Sequence, residues 1–98
     1  MMTVQLSRTA ISGLNGGYRF YEKKEHGLGD YFKNTLLSEI EGLKVTAGIH
    51  RTIYGHQRMI SRVFPFAIYY KLNVASVRVT AVIDCRRDPE WIRKQLDS

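Results

Sequence analysis

The apolar residues in the first half of the chain recur every three or four positions, which is the period of an amphipathic helix. From residue 8 to about residue 25 they form one stripe, made of Ile11, Leu14, Tyr18 and Tyr21. From about residue 28 to residue 44 they form a second stripe, made of Phe32, Leu36, Ile40 and Leu43. Ser7 is a favourable N-cap for the first helix, and Gly27 and Gly29 interrupt the pattern between the two helices. The pattern predicts a helical hairpin.

Hydrophobic and polar residues alternate in the second half of the chain, which is the period of a half-buried strand. Three such runs follow one another from about residue 56, at 56–63, 66–72 and 77–84, while 46–55 is predicted to be an irregular connection. In the third run, alternation predicts that one face is shared by Val77, Val79, Ala81 and Ile83. Short connections between the runs predict an antiparallel meander.

The two ends of the chain complete the predicted fold. Residues 3–7 are expected to form a short strand that joins the edge of the sheet. Asp88 is a good N-cap and Pro89 a favourable first residue for a last helix. The fold class is therefore α+β, in the order β-α-α-β-β-β-α, with a helical hairpin packed on a small antiparallel sheet. We expect residues 1–98 to form a single domain.

Three glycines lie inside the predicted first helix, at positions 13, 16 and 17. Glycine weakens a helix by about 1 kcal/mol relative to alanine. A glycine also lets another backbone or side chain approach the helix axis closely. We therefore expect these positions to mark a packing contact.

The composition excludes several classes of protein. No apolar stretch approaches the length of a membrane span, so we expect no membrane association. Cys85 is the one cysteine of the chain, which excludes an internal disulfide and favours a reducing cytoplasm. The three histidines lack the spacing of a zinc site, so we expect no metal, and no dinucleotide or phosphate-loop motif indicates a cofactor.

The positive charge of the chain is concentrated in its second half. The net charge is +6, and residues 51–98 contribute +5 of it, from nine basic and four acidic residues. Such a surface suits nucleic acid or an acidic protein segment. We expect the charges to gather on the sheet face that the hairpin leaves free, with Arg58 and Arg62 on one face because they lie an even number of residues apart. The candidate residues are Arg58, Arg62, Arg78, Arg86 and Arg87, with Lys71 beside Arg78 and Trp91 anchoring the last helix.

The residues alone leave two interpretations of this surface open. Arginine binds phosphate or carboxylate through two parallel hydrogen bonds, so the arginines can form a binding site, and nearby tyrosines can stack on bases. The same arginines are equally compatible with a solvated sheet face. No serine lies in the context of a catalytic nucleophile.

Three segments of the chain are distinctive: YRFYEKKEHGLGDYF, RMISRVFPFAIYYKL and VRVTAVIDCRRDPEWIRK. Together they resemble the RelE/ParE superfamily of toxins from bacterial type II toxin–antitoxin modules, and the similarity extends from about residue 4 to residue 94. The resemblance implies the fold predicted above. It also implies a toxin that a cognate acidic antitoxin silences by folding over it. The residues expected to contact the antitoxin are Tyr18, Tyr21 and Leu28.

The superfamily divides into two mechanisms. The RelE-like branch cleaves messenger RNA at the ribosome, usually with a tyrosine or histidine near the C-terminus, and no tyrosine or histidine follows Tyr70 in this chain. The ParE-like branch binds DNA gyrase and needs no catalytic residue. The sequence therefore favours a gyrase inhibitor that uses the five arginines and Trp91 to bind its target. The alternatives are a ribosome-dependent mRNA endonuclease and a degenerate member that binds an antitoxin and poisons nothing.

Overall fold

The computed structural model describes residues 2–97. In chain order the elements are β1 (Thr3–Leu6), α1 (Arg8–Lys24), α2 (Leu28–Glu41), α3 (Leu43–Thr46), β2 (Arg51–Ile53), β3 (His56–Ile60), β4 (Phe66–Leu72), β5 (Ser76–Asp84) and α4 (Pro89–Asp97). The predicted α+β fold, with a helical hairpin on a sheet, is confirmed. The one-turn helix α3 and the three-residue strand β2 are additional to the prediction.

The five strands form one sheet in the order β1-β5-β4-β3-β2. β1 joins the edge as predicted, but it runs parallel to β5, with Thr3 opposite Ser76 and Leu6 opposite Val79. The remaining pairs are antiparallel. The sheet is therefore mixed. A parallel pair needs a long connection, and here the helical hairpin and strands β2 to β4 lie between β1 and β5 in the chain.

Strand β2 lies in the segment that was predicted to be irregular. It pairs with β3 through a two-residue turn, in which Tyr54 has φ 52° and Gly55 has φ 80°. A two-residue hairpin turn whose twist matches that of the flanking strands requires positive φ at both central residues. Glycine meets it without strain, but a tyrosine there is unusual, and so Tyr54-Gly55 gave no hairpin signal in the sequence.

Helix α1 packs on the sheet through its small residues. Its buried positions are Ala10, Leu14, Gly17 and Tyr21. A Cβ on Gly13 would overlap the carbonyl oxygen of Val82, and one on Gly17 would overlap the ring of Phe32. The predicted packing contact is confirmed at both positions, whereas Gly16 faces open space. The prediction that Ile11 belongs to the buried stripe is wrong, because the close approach at Gly13 turns Ile11 outward and leaves it 48 % exposed.

The hairpin face of the sheet holds the larger core. Phe32, Leu36, Ile40 and Leu43 are buried there, as the second stripe predicted. Glu22 caps the start of α2, because its carboxylate accepts hydrogen bonds from the backbone N–H groups of Gly27 and Gly29. Those bonds hold the pKa of Glu22 below its ordinary value.

Helix α4 covers part of the opposite sheet face, which was expected to be free. Its Ile92 and Leu96 pack in a second apolar cluster with Ala67, Tyr69, Ala81 and Ile83. The predicted start of α4 is confirmed: it begins at Pro89, and Asp88 Oδ2 accepts the N–H of Trp91 at 3.1 Å. Helix α4 therefore covers the part of this face that β4 and β5 form.

A bulge in β5 overturns the simple alternation of that strand. Tyr69 lies opposite Ala81 and Tyr70 opposite Val79, so Thr80 is the extra residue. Beyond the bulge the two faces exchange. Val82 consequently packs in the hairpin-side core with Val77 and Val79, whereas Ala81 and Ile83 pack against α4.

Candidate target-binding surface

The turn after β5 is built around an ion pair between Asp84 and Arg86. Asp84 Oδ1 accepts the backbone N–H of Arg86 at 2.8 Å and its Nε–H at 2.9 Å, and Asp84 Oδ2 accepts Nη2–H at 2.7 Å. These bonds to Arg86 hold the pKa of Asp84 below its usual range. The guanidinium also lies beside the hydroxyl of Tyr21, where it opposes the rise that burial causes in the pKa of that tyrosine. Arg86 is therefore fixed in direction.

Arg87 is held by a different contact, a stack on the indole of Trp91. Its Cζ lies 3.6 Å from the ring centroid, which is the geometry of a cation–π interaction. The stack engages the face of the guanidinium and leaves its N–H groups directed sideways. No ion pair involves Arg87 within residues 2–97. Trp91 thus anchors a cation as well as its own helix.

Arg58 lies on the α4 side of the sheet, on β3, directly opposite Tyr69. Burial raises the pKa of Tyr69, and the guanidinium of Arg58, hydrogen-bonded to its hydroxyl, offsets part of that rise. Cys85, at the end of β5, lies within electrostatic range of both Arg58 and Arg86. Burial outweighs these two charges and raises the pKa of Cys85, so the thiol is protonated at neutral pH.

Three of the five candidate arginines therefore surround the carboxyl end of β5. We call Arg58, Arg86 and Arg87 the β5-end arginines. The other two lie elsewhere. Arg78 is six residues before Asp84 along β5, a distance of about 20 Å in an extended strand.

Arg62 does not share the face of Arg58, and this prediction was wrong. β3 ends at Ile60, so the alternation does not extend to Arg62. Ser61 starts a turn in which its hydroxyl accepts the N–H groups of Val63 and Phe64, each at 3.2 Å. The backbone N–H of Arg62 is bound by Glu39 Oε2 of α2 at 2.9 Å.

The histidines are engaged in structural contacts. His56 is buried, with Nε2 3.1 Å from the Leu96 carbonyl oxygen and Nδ1 2.9 Å from Thr80 Oγ1. His50 Nδ1 lies 2.5 Å from the hydroxyl of Tyr70, and His26 lies beside Glu22. Burial lowers the pKa of both His50 and His56. Tyr54, one of the tyrosines near the arginines that could stack on bases, is exposed and interacts electrostatically with Tyr69 and Arg93.

The hairpin residues that were predicted to bind an antitoxin differ in exposure. Tyr18 and Leu28 are half-buried, whereas Tyr21 is only 8 % exposed. Its ring packs 4.9 Å from Phe64 and 5.1 Å from Phe32, between ring centroids. The exposed aromatic residues of the hairpin are Phe20 and Tyr31. Tyr21 supports this surface from beneath.

The fold defines a class of small α+β proteins, in which a helical hairpin covers one face of a mixed sheet and a C-terminal helix part of the other. Among solved structures, the chain matches a chain of the chromosomal ParDE TA system from P. aeruginosa, with a TM-score of 0.76 and 13 % sequence identity. The match covers 86 % of this chain and 96 % of that chain. The sequence resemblance is therefore confirmed at the level of the fold. Comparison of the chain with protein-family models and with curated proteins found no match.

Two further observations concern residues 2–97. No helix in this range is long and apolar enough to cross a membrane. Within the same range, no group of three or more histidine, cysteine, aspartate or glutamate side chains has the arrangement of a metal site.

Proposed function

We propose that this protein is the toxin of a type II toxin–antitoxin system and that it inhibits DNA gyrase. The observation that carries the proposal is the fold shared with a chain of the ParDE TA system over nearly all of both chains. In this proposal the toxin acts by occupying its target in a stoichiometric complex, without catalysis.

The β5-end arginines supply the contact with the target. Arg86 is oriented by Asp84 and Arg87 by Trp91, so neither side chain has to be ordered when a partner binds. Arginines held in this way bind carboxylates or phosphates with little loss of conformational entropy. Arg62 and Arg78, which the sequence also assigned to this surface, lie apart from the β5-end arginines and are not part of the proposed contact.

The antitoxin covers the helical hairpin. Half-buried Tyr18 and Leu28, supported by Tyr21, form an apolar patch beside lysines at the end of α1. An acidic, partly disordered partner segment would bury that patch and neutralise the lysines when it folds. The net charge of +6 favours such a partner.

A second candidate function is ribosome-dependent cleavage of mRNA, and the position of Tyr54 favours it. Its exposed side chain is on the same sheet face as Arg58 and lies within electrostatic range of Tyr69. A phenol hydroxyl beside arginines can hydrogen-bond to a ribose hydroxyl and position it for attack on the adjacent phosphate. Against this function, both ring nitrogens of His56 are engaged in hydrogen-bond contacts.

Two reactions distinguish the candidates. Purified protein is added to a gyrase supercoiling reaction, and separately to a translation mixture in which the mRNA is checked for cuts in phase with codons. We expect loss of supercoiling with accumulation of cleaved DNA, and intact mRNA. Intact supercoiling together with phased cuts would instead establish the endonuclease, and Tyr54→Phe would then abolish the cuts. If neither reaction responds, the protein is not a toxin of either branch.

A further inference from the structure

A cationic cleft lies at the opposite end of β5 from the β5-end arginines. It has a volume of about 590 Å³ and opens between the start of α1, strands β4 and β5, and the end of α4. Three basic side chains line it, each from a different element: Arg8, Lys71 and Arg78. Within residues 2–97 none of the three takes part in an ion pair. Their charges are therefore available to a ligand.

The cleft also contains one acidic residue, Asp97, so basic side chains outnumber acidic ones there by three to one. Asp97 Oδ2 lies 3.1 Å from Nη1 of Arg93, on the same helix. Two other clefts of the described residues lack such an excess. One is lined by Asp84 and Arg87, and the other by Glu39 and Arg62, so each holds one acid and one base. The excess positive charge is thus a property of the cleft at α1.

Lys71 and Arg78 lie directly opposite each other in the antiparallel pair of β4 and β5. Like charges at directly opposed positions destabilise a sheet. Both side chains are exposed, and within residues 2–97 neither forms an ion pair that would relieve the repulsion. A local conflict of this kind is typical of a ligand site, where the bound group supplies the missing opposite charge.

The first turn of α1 adds hydrogen-bond donors to the cleft. Ser7 caps the helix, since its Oγ accepts the N–H of Ala10 at 3.1 Å while its hydroxyl donates to the Thr80 carbonyl at 2.8 Å. The N–H of Ile11 is bonded to the carbonyl of Ser7. The N–H groups of Arg8 and Thr9 are at the first two helical positions, where no intrahelical acceptor exists. Arg8 and Thr9 line the same cleft as Lys71 and Arg78.

We propose that this cleft binds a phosphate group, with Arg8, Lys71 and Arg78 neutralising its charge and the first amides of α1 donating to its oxygens. A tetrahedral oxyanion can accept from several donors at once, which matches cations that converge from three elements. The floor of the cleft is formed by His56, fixed between Thr80 and Leu96. The phosphate belongs either to a free phosphorylated small molecule or to a nucleic-acid backbone.

The test is a titration of the ¹⁵N-labelled full chain by NMR at constant ionic strength, with chloride as the reference. The three ligands are inorganic phosphate, a nucleoside 5′-monophosphate and a short single-stranded oligonucleotide. We expect saturable shifts of the amides of Arg8 and Thr9 with phosphate. If the oligonucleotide binds much more tightly than the monophosphate at the same amides, the phosphate belongs to a nucleic-acid backbone. If the monophosphate binds as tightly as the oligonucleotide or more tightly, the phosphate belongs to a small molecule. Shifts that do not saturate, or that lie elsewhere, would overturn the proposal.

The variant Lys71→Gln with Arg78→Gln tests the role of the cations, and Arg19→Gln with Lys23→Gln on α1 is the control with the same change in net charge. We expect the first variant to bind phosphate roughly tenfold more weakly or worse, and the control to bind like the wild type. The first variant should also melt at a higher temperature without phosphate, because the opposed charges are gone. Equal weakening in both variants would mean that only net charge matters, and the proposal would be wrong. This assay needs no gyrase and no antitoxin, so its result is independent of the proposed toxin function.

Discussion

Gly13 of α1 lies directly against the carbonyl oxygen of Val82 in β5, so closely that a methyl group on Gly13 would overlap that oxygen. The helix therefore touches the sheet through backbone atoms. We predict that Gly13→Ala destabilises the protein by about 1–3 kcal/mol, because overpacking outweighs the gain in helix propensity. Urea unfolding followed by circular dichroism measures the change.

The matched control is Gly16→Ala, one turn along the same helix. A Cβ there meets no atom within 4 Å. The substitution should leave stability unchanged or raise it by up to about 1 kcal/mol, through helix propensity alone. If both substitutions have the same effect, the close contact between Gly13 and Val82 does not determine the packing of α1.

The double variant Arg86→Ala with Arg87→Ala should lose toxicity while it still binds the antitoxin. Removing oriented charges from an interface typically costs about 2 kcal/mol or more, which corresponds to roughly a 30-fold loss of affinity for the target. Growth arrest on expression measures toxicity, and co-purification with the antitoxin measures the second interaction. Arg19→Ala with Lys23→Ala removes the same charge from α1 and should remain toxic. Full toxicity of the first variant would exclude the β5-end arginines as the target contact.

Stability should fall as the pH is lowered from 7 to 5, and His56 should account for part of the fall. Burial lowers the pKa of His56 in the folded chain, and nearby Lys71 acts in the same direction, whereas the bond to Leu96 and the charge of Asp97 oppose the shift. The unfolded chain, with an ordinary histidine pKa of about 6.5, therefore binds the proton more readily. The contribution of His56 to the free energy of unfolding is present above the pKa of the unfolded chain. It is lost as the pH falls through the pKa that His56 has in the folded chain.

The comparison of wild type with His56→Gln isolates this contribution, because burial lowers the pKa of His50 as well. The stability difference between the two proteins should shrink between pH 7 and pH 5. Trp91, the one tryptophan of the chain, is on α4 and reports its unfolding by fluorescence. A stability difference that stays constant with pH would show that His56 has the same pKa in the folded and unfolded chains, and it would contradict the prediction.

Tyr70→Phe should loosen the segment between α3 and β2. The buried hydroxyl of Tyr70 donates to Gln57 Oε1 at 3.0 Å, accepts the N–H of Gly48 at 3.0 Å and contacts His50 Nδ1. Removing it leaves these groups unpaired, at a cost of about 1–3 kcal/mol. Hydrogen exchange at Gly48 should accelerate. Tyr31→Phe, at an exposed tyrosine, is the control and should change neither quantity.

Local signals predicted the helices well because their physical causes are local. Ser7 and Asp88 both cap helices as expected, since capping depends only on a side chain and the next three residues. The stripe of α2 is buried as predicted because a single face of that helix meets the core. The exposure of Ile11 was not predictable in this way, because it depends on how closely the carbonyl of Val82 approaches α1.

The arrangement of the arginines depended on features that single residues do not reveal. The extra residue Thr80 exchanges the faces of β5, and the strand end at Ile60 separates Arg62 from Arg58. No local signal indicated that Arg8 would line the same cleft as Lys71 and Arg78, because that placement requires the parallel pairing of β1 with β5. The register between distant strands therefore determines where the arginines lie, whereas the local sequence pattern determines where helices and strands form.

The pairing of β1 with β5 also bears on how the protein is made. Thr3 lies opposite Ser76 and Leu6 opposite Val79, so the first strand cannot pair until the first residues of β5 have left the ribosome. Contacts between such distant parts of a chain form late and slow down folding. A nascent chain that stops short of residue 76 has the hairpin but lacks the strand that β1 pairs with, so the complete sheet forms only after that segment is made.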